Sequence, residues 1–388
     1  GPISAYTSVN MPQTEIEAIL AARLSALGGG VRYGCEVVDV KQANGEAQVE
    51  FMKLPDQQRA VIDCDLGLGG DGAGGAVRRA VGIDMVGPRS IARFMTVYFK
   101  ADLDRFREGR VGILYWIGGA KVRGVFINFE KTARTWAMLV PIGDLSMDCF
   151  DETSAKRFVI HAIGTEDVPI ELVGLSSWNM SAQVATSYRS GKVLLAGDAA
   201  HRFPPTGGLG MNTGIQDVHN LVWKLAAVME GRAPERLLDS YEEERKPIAH
   251  RNTDQSVRNL QRMGMIDEAL GVPTLAPIEQ HAADGPIASF PPETLGIDGD
   301  SPEAVARRAK IQAAVDEQAE HFAQGAGVDV GFSYPSGAFV PDGSPEPSNA
   351  PTHFRPDAHP GTRMPFASPT GLFKDSTLGC VQRDGITL

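Results

Sequence analysis

Residues 191–217 constrain this chain more than any other stretch. Gly191-Lys192-Val193-Leu194-Leu195-Ala196-Gly197-Asp198 leads through Ala199-Ala200-His201-Arg202-Phe203-Pro204-Pro205-Thr206 to Gly207-Gly208-Leu209-Gly210-Met211-Asn212. The apolar run reads as a short buried strand ending in Gly-Asp. A carboxylate at the carboxyl edge of a sheet stands where open α/β folds bind ligands, and it accepts hydrogen bonds from sugar or polyol hydroxyls. The following glycines let backbone N–H groups approach a flat ligand closely. A helix is predicted next, with Ile215, Val218, Leu221, Val222, Leu225 and Val228 on one face and Gly231 as its stop. Its positive N-terminal end aims at the same place and stabilises an anion there. The plainer alternative is a strand-turn-helix corner whose glycines serve packing alone.

A second glycine loop lies upstream. Gly70-x-Gly72-x-x-Gly75 follows the predicted strand Ala60–Asp65 and matches the dinucleotide fingerprint literally. That fingerprint opens a helix and is followed by an acidic residue about 20 positions on, whereas Arg78-Arg79 and Pro88 intervene here. A flexible glycine turn is the competing reading. Elsewhere the pattern predicts a helix from Pro12 to Gly28, and strands at 31–40 and 47–54 around Asn44-Gly45. Short strands follow at 93–99, 111–116, 125–129 and 136–140, then a charged helix at 237–258 and a further helix at 301–324. Residues 266–300 and 336–360 are Pro- and Gly-rich connectors.

Charge narrows the partners. With 37 Lys and Arg against 48 Asp and Glu the net charge is −11, which opposes nucleic acid and anionic membranes. No apolar run spans a bilayer, and no signal peptide is recognisable, so a soluble, cytoplasmic protein is expected. Cys35, Cys64, Cys149 and Cys380 lie far apart, and the eight histidines lack metal-ligand spacing, so no metal site is expected. Nothing in the sequence sets an oligomeric state.

The residues resemble the group A flavoprotein monooxygenases, FAD-dependent aromatic hydroxylases related to phenol hydroxylase and dichlorophenol monooxygenase. Gly197–His201, Pro204-Pro205, Gly207–Asn212, Gln216-Asp217 and Asn220–Leu225 are similar to that family's second FAD motif. Asp71-Gly72 with Arg78 resembles its Asp-Gly motif, used toward both FAD and the nicotinamide cofactor, with Gly75 where the family usually has Ser. Pro12-Gln13 resembles the segment whose Gln lies near the flavin ribityl chain. Tyr241, Glu244, Arg245 and Pro247 resemble its Tyr-x-x-Glu-Arg-x-Pro helix, and 321–334 its later linker.

The resemblance implies an α/β fold, mixed with α+β features. A Rossmann-like FAD/NAD(P)-binding domain, incomplete at its N-terminus, would carry an inserted β-sheet substrate domain and a helical C-terminal part. The expected units are 1–87 (partial FAD-binding domain), 88–185 (β-rich substrate domain), 186–265 (return to the FAD-binding domain), 266–350 (helical, Pro-rich connector) and 351–388 (start of a truncated thioredoxin-like domain). The family's N-terminal Gly-x-Gly-x-x-Gly unit has no counterpart here.

The implied FAD contacts are Gln13, Asp71, Gly72, Arg78, Gly197, Asp198, Pro205, Gly207, Gly208, Leu209, Gly210, Met211 and Asn212. NAD(P)H is the implied cosubstrate, and a small aromatic compound and O₂ are the substrates, reacting through a flavin C4a-hydroperoxide. His201 is a candidate for taking a phenolic proton, against a structural or flavin-packing role. Tyr115, Trp116, Phe126, Phe129 and Trp136 are candidates for a pocket, against ordinary strand core. The run Glu242–Lys246 is expected to be a solvated helix face with local ion pairs. Two alternatives stay open: a truncated or non-catalytic remnant unable to hold FAD alone, and a different flavin oxidoreductase on the same fold.

Overall fold

The computed structural model describes residues 3–4, 10–43, 45–110, 112–118, 122–129, 134–271, 279–281, 285–287, 296–321, 324–348, 350–370, 372 and 376–378. Helix α1 (Gln13–Ala26) begins behind Pro12 and ends in a left-handed Gly28. Gly28 N–H donates to Ser25 O and Gly29 N–H to Leu24 O, a closure that satisfies the last carbonyls. Its apolar residues stay exposed or half-buried. Strands β1 (Cys35–Ala43), β2 (Glu46–Lys53) and β3 (Gln58–Cys64) form an antiparallel meander. The first strand starts later than its apolar run because Gly34, at φ 69°, turns the chain just before it. Asn44, in the expected turn, lies outside the described residues.

The chain continues through β4 (Gly67–Gly69), a 3₁₀ turn at Gly72–Gly74, α2 (Ala76–Ala80), β5 (Met85–Val86), β6 (Ala92–Lys100), α3 (Asp104–Arg107), β7 (Leu114–Gly118), β8 (Arg123–Asn128), β9 (Thr135–Pro141), α4 (Glu152–Ile163) and β10 (Glu171–Met180). The order β10-β6-β9-β8-β7 makes an antiparallel sheet. Alternation sends Met95, Val97, Phe99, Phe126, Trp136, Met138 and Val140 to one face, where they bury against Ala155, Phe158 and Val159 of α4. Phe126 and Trp136 therefore belong to the strand core, with Tyr115 packed on it, while Trp116 is about half exposed. Val111 lies outside the described residues. Helix α4 is fixed by a capping box between Asp151 and Ser154 and stopped by Gly164 at φ 86°.

Next come β11 (Gln183–Ala185), β12 (Arg189–Ser190), β13 (Val193–Leu195), β14 (His201–Arg202), α5 (Leu209–Met229), α6 (Asp239–Leu270), the short pair β15 (Glu279–His281) and β16 (Gly285–Ile287), α7 (Pro302–His321) and α8 (Ala326–Asp329). Strand β13 pairs in parallel with β4, Leu195 opposite Gly69. Both strands thus end at the same carboxyl edge, and each runs straight into one of the two glycine loops. The other edge of β4 has no strand partner among the described residues. Val193 joins Val40 and Ala47 in a small core that anchors the meander here.

Helices α5 and α6 depart from the expected patterning. Of the predicted apolar face of α5, Leu221 is buried, but Ile215, Val218 and Val222 are exposed, as are Met211 and Met229. Leu225 and Val228 pack half-buried on the same core as Leu221, and the inward face is mixed, with Thr213, Asp217, Asn220 and Lys224 buried beside Leu209, Leu221 and Ala227. Glu244 and Arg245 of α6 are likewise buried and not on a solvated face. The reason is complementarity: each inward charge of α5 meets an opposite one on α6. Helix α6 also runs through Pro247 to Leu270, beyond its expected end at 258. Residues 336–360 carry no helix or strand among those described, apart from an isolated bridge between Ser333 and Thr362 that ties down their flanks.

Candidate functional site

The two loops after β4 and β13 form the candidate site. In the first, the Asp71 carboxylate accepts the Val77 N–H at 2.8 Å and so closes the loop over α2. Gly72 (φ 70°) and Gly75 (φ 52°) occupy left-handed backbone. Gly70, Gly72 and Gly74 have open space where a Cβ would lie, whereas at Gly75 that space holds the Arg78 guanidinium. Arg78 is buried, donates to Ile83 O at 2.8 Å, and has no partner for Nε among the described residues. Helix α2 has only five residues, so the literal fingerprint does not open the long helix that a dinucleotide fold places there.

In the second loop, Gly197 takes φ 61° and turns the chain so that Asp198 is exposed, its carboxylate near the Arg202 charge but in no hydrogen bond or ion pair among the described residues. Arg202 connects the two loops, donating to Ala73 O and, at 3.5 Å, to Asp198 O, with Gln183 Oε1 at 3.3 Å. Burial first, and then the charge of Arg78, pulls the Arg202 guanidinium below its usual range. The Pro204-Pro205-Thr206 segment is held from behind: Thr206 Oγ1 donates to Ser256 O at 2.6 Å and Asn259 Nδ2 to Thr206 O at 3.1 Å. Gly208 N–H donates to Pro205 O at 3.1 Å.

Gly208, at φ 66°, precedes the first turn of α5 and caps it with no side chain. The first N–H groups of that 21-residue helix are therefore left for something else to satisfy. No atom lies within 4 Å of where a Cβ on Gly208 or Gly210 would stand, so the helix end opens onto free space. Leu209 is buried, Met211 and Asn212 are exposed, and Asn212 Nδ2 donates to Gly208 O at 2.9 Å.

Beneath this surface is a buried charge network. Asp217 Oδ2 accepts from His201 Nε2 at 2.5 Å and from Gly197 N–H at 3.2 Å, while Oδ1 accepts from Arg245 Nε at 2.8 Å. Burial alone would raise the Asp217 pKa, but His201 and Arg245 outweigh it and hold the carboxyl below the ordinary range. His201 is fully buried and stacks on Phe203, ring centroids 4.8 Å apart. A second cluster lies one to two turns along α5. There Glu244 accepts from Lys224 Nζ at 2.7 Å, Asn220 Nδ2 at 2.5 Å and Ala338 N–H at 2.7 Å.

The parallel strand pair thus brings Asp71, Gly72, Arg78, Gly197, Asp198, Pro205 and Gly207–Asn212 into one region. Gln13 is not joined to it: its amide donates to Glu17 at 2.6 Å, and it has no hydrogen bond to either loop. Asp217, Arg245, Lys224 and Glu244 were visible in the sequence only as members of motifs. The available signal was charges at i, i+7 on one predicted helix, Asp217 and Lys224, facing the pair Glu244-Arg245 on the next. Among the described residues no group of three or more His, Cys, Asp or Glu is placed to hold a metal ion. No helix among them is long and apolar enough to cross a membrane.

Comparison with known proteins places this geometry. The FAD binding domain family matches residues 3–256. The chain is 32% identical over 345 residues to the 2,4-dichlorophenol 6-monooxygenase of Delftia acidovorans, covering 87% of this chain and 57% of that protein. It is 30% identical over 367 residues to the phenol 2-monooxygenase of Pseudomonas sp. (strain EST1001), covering 92% and 57%. Among solved structures it is similar to the flavin-dependent monooxygenase PieE in complex with FAD and substrate, with TM-score 0.83 and 30% identity over 96% of this chain and 64% of that one. The chain spans 57% of the length of both curated relatives.

Proposed function

The chain belongs to the FAD binding domain family, and from that premise we propose that it is a flavin-dependent aromatic hydroxylase, binding FAD and hydroxylating a phenolic or related aromatic compound with NAD(P)H and O₂. One observation carries the reading: the uncapped α5 N-terminus and the exposed Asp198 carboxylate, in no hydrogen bond among the described residues, lie on the same β13–α5 connection, with open space over Gly208 and Gly210. A flavin dinucleotide fits this set, having hydroxyls for a carboxylate and a flat ring system that becomes anionic on reduction. Bound FAD would supply two-electron transfer from the nicotinamide and the activation of O₂.

The protein's own work is positioning. Asp198 would accept from a ribityl or ribose hydroxyl. The amides of Leu209, Gly210 and Met211 would stabilise negative charge at the pyrimidine edge of the ring. Pro205 and Gly207, fixed through Thr206 to α6, would set the approach of the ring, and Asn212 would hold the Gly208 carbonyl away from it. Arg78 would meet a phosphate, with Gly72 allowing close approach of the backbone, while Asp71 holds the loop in shape through Val77 N–H. The five-stranded sheet would shield the reacting edge from water and orient the aromatic ring. The cytoplasm, where reduced nicotinamides circulate, is the proposed compartment.

A second reading, that these 388 residues hold FAD only weakly by themselves, is favoured by the exposed apolar stripe Met211, Ile215, Val218, Val222 and Met229 and by the open edge of β4. Purified chain incubated with FAD and desalted decides between them. A stoichiometric yellow protein whose NADPH oxidation is stimulated by phenol or 2,4-dichlorophenol is expected from the first reading. A folded, colourless protein supports the second. Bound flavin with no response to any aromatic compound would overturn hydroxylation in favour of another flavin reaction.

A further inference from the structure

Asp217 spends a fully buried charge on a backbone turn. Its carboxylate accepts from Gly197 N–H (3.2 Å) and from His201 Nε2 (2.5 Å), the two ends of the five-residue turn that presents Asp198. Gly197 is in left-handed backbone, and its N–H points inward, away from the open side of the loop. A buried N–H without an acceptor costs about 1–3 kcal/mol, so this conformation of the turn needs a partner underneath. Gly214, one turn before Asp217 on α5, allows the approach: a Cβ there would lie 3.2 Å from Gly197 Cα. A neutral amide would offer one acceptor oxygen to three donors and turn its own NH2 toward another donor, so it could not hold Gly197, His201 and Arg245 together. The ionised carboxylate binds all three, and three donors on two oxygens fix its position in a way that one hydrogen bond does not. Arg245 is held in turn by Thr213 O (3.4 Å) and Gln216 Oε1 (3.2 Å).

We propose that Asp217 is a positioning residue for the flavin: with His201 and Arg245 it clamps both ends of the Gly197–His201 turn and so aims the Asp198 carboxylate at the cofactor's hydroxyls. The inference rests on the reading that FAD binds at this loop. It assigns His201 a role through Asp217, with its ring buried against Phe203 and its Nε2 proton committed to the carboxylate.

The test uses the 388-residue chain with three variants. Asp217→Asn removes the charge. His201→Phe removes one donor and leaves the buried Asp217 carboxylate still paired with Arg245. Ala155→Gly weakens helix α4 in the separate core under the five-stranded sheet and serves as a stability control. Two quantities are read: hydrogen exchange of the Gly197 amide, and FAD affinity by quenching of flavin fluorescence.

The expected result for Asp217→Asn is faster Gly197 exchange, a loss of FAD affinity of about ten- to a hundredfold and a shifted flavin absorption band at saturating FAD. His201→Phe is expected to move each in the same direction by about three- to tenfold in affinity, and it carries the test if Asp217→Asn does not fold. Ala155→Gly should lower thermal stability with FAD affinity and Gly197 exchange unchanged. Unaltered Gly197 exchange in folded Asp217→Asn or His201→Phe overturns the clamp. Altered exchange with unaltered FAD affinity and spectrum overturns its role toward the flavin. If the unmodified chain binds no FAD, it is the functional reading that fails, and Gly197 exchange still decides whether Asp217 sets the turn.

Discussion

Replacing Glu244 by Leu isolates the second buried cluster. The carboxylate is the acceptor for Lys224, Asn220 and the Ala338 amide, and it fills the space where a Cβ on Gly337 would stand. Without it, a fully buried ammonium loses its counter-charge, which costs about 3–5 kcal/mol. An independent bound agrees. Lys224 can escape by losing its proton, and moving from the ordinary lysine value of about 10.4 down to pH 7, at 1.36 kcal/mol per unit, costs about 5 kcal/mol. Burial already pulls the Lys224 pKa down in the intact protein, and Glu244 opposes that pull.

Urea unfolding at pH 7 should therefore give a loss of about 3–5 kcal/mol for Glu244→Leu. The pH dependence has a definite sign. A lysine depressed in the folded state leaves the unfolded chain holding more protons, so the variant regains stability as pH rises from about 7 toward 10. Adding Lys224→Met should restore most of the loss at pH 7, because an apolar pair replaces the ionic one without leaving a charge behind. A single variant within about 1 kcal/mol of the parent, or a double variant no better than the single, would refute the claim that the Lys224 charge depends on Glu244.

Gly208→Val should weaken FAD binding at least about tenfold, since it puts a β-branched residue at φ 66° and fills the open space before α5; unchanged fluorescence quenching would count against a flavin there. The Asp217 carboxyl is held low in the folded state, so its stabilising contribution is present above about pH 4 and is lost as pH falls through the folded value. Acid unfolding of Asp217→Asn should accordingly be flatter than that of the parent. Tyr188 is pushed well above its ordinary range by burial, with the Asp217 charge adding to it, so stability present below about pH 10 drains as pH rises further. Its hydroxyl has no partner among the described residues, and Tyr188→Phe should be neutral or up to about 1 kcal/mol stabilising at pH 7 and more resistant to alkali.

The sequence was readable wherever a local rule acts within a few residues. Gly28 and Gly231 mark helix ends at left-handed positions, and strand alternation placed β6, β8 and β9 within a residue or two because each has one face on the same core, whereas helix α4, inside a stretch that reads as strands, was not anticipated. Both glycine loops could be picked out, since positive φ and close approach leave glycine as nearly the only choice. Helix α5 misled because periodicity measures which face is apolar, not which face is buried. Leu221, Leu225 and Val228 of its apolar face do reach the core, but Ile215, Val218 and Val222 are exposed, and the buried face also carries Asp217 and Lys224 because α6 supplies opposite charges there. The Glu242–Lys246 run looked like a solvent face for the same reason, although only the Lys246–Glu242 pair is local.

By itself, the sequence determined the turn chemistry, the strand ending in Gly-Asp and the glycines that leave α5 uncapped, because these depend on residues adjacent in the chain. Only the tertiary structure decided that β4 and β13 lie side by side in parallel, 126 residues apart at Gly69 and Leu195, so that both loops open at one edge. It also decided that Asp217, His201 and Arg245 share one buried carboxylate. A charge removed from water is stable only where its partners are already in place, and those partners come from three different elements.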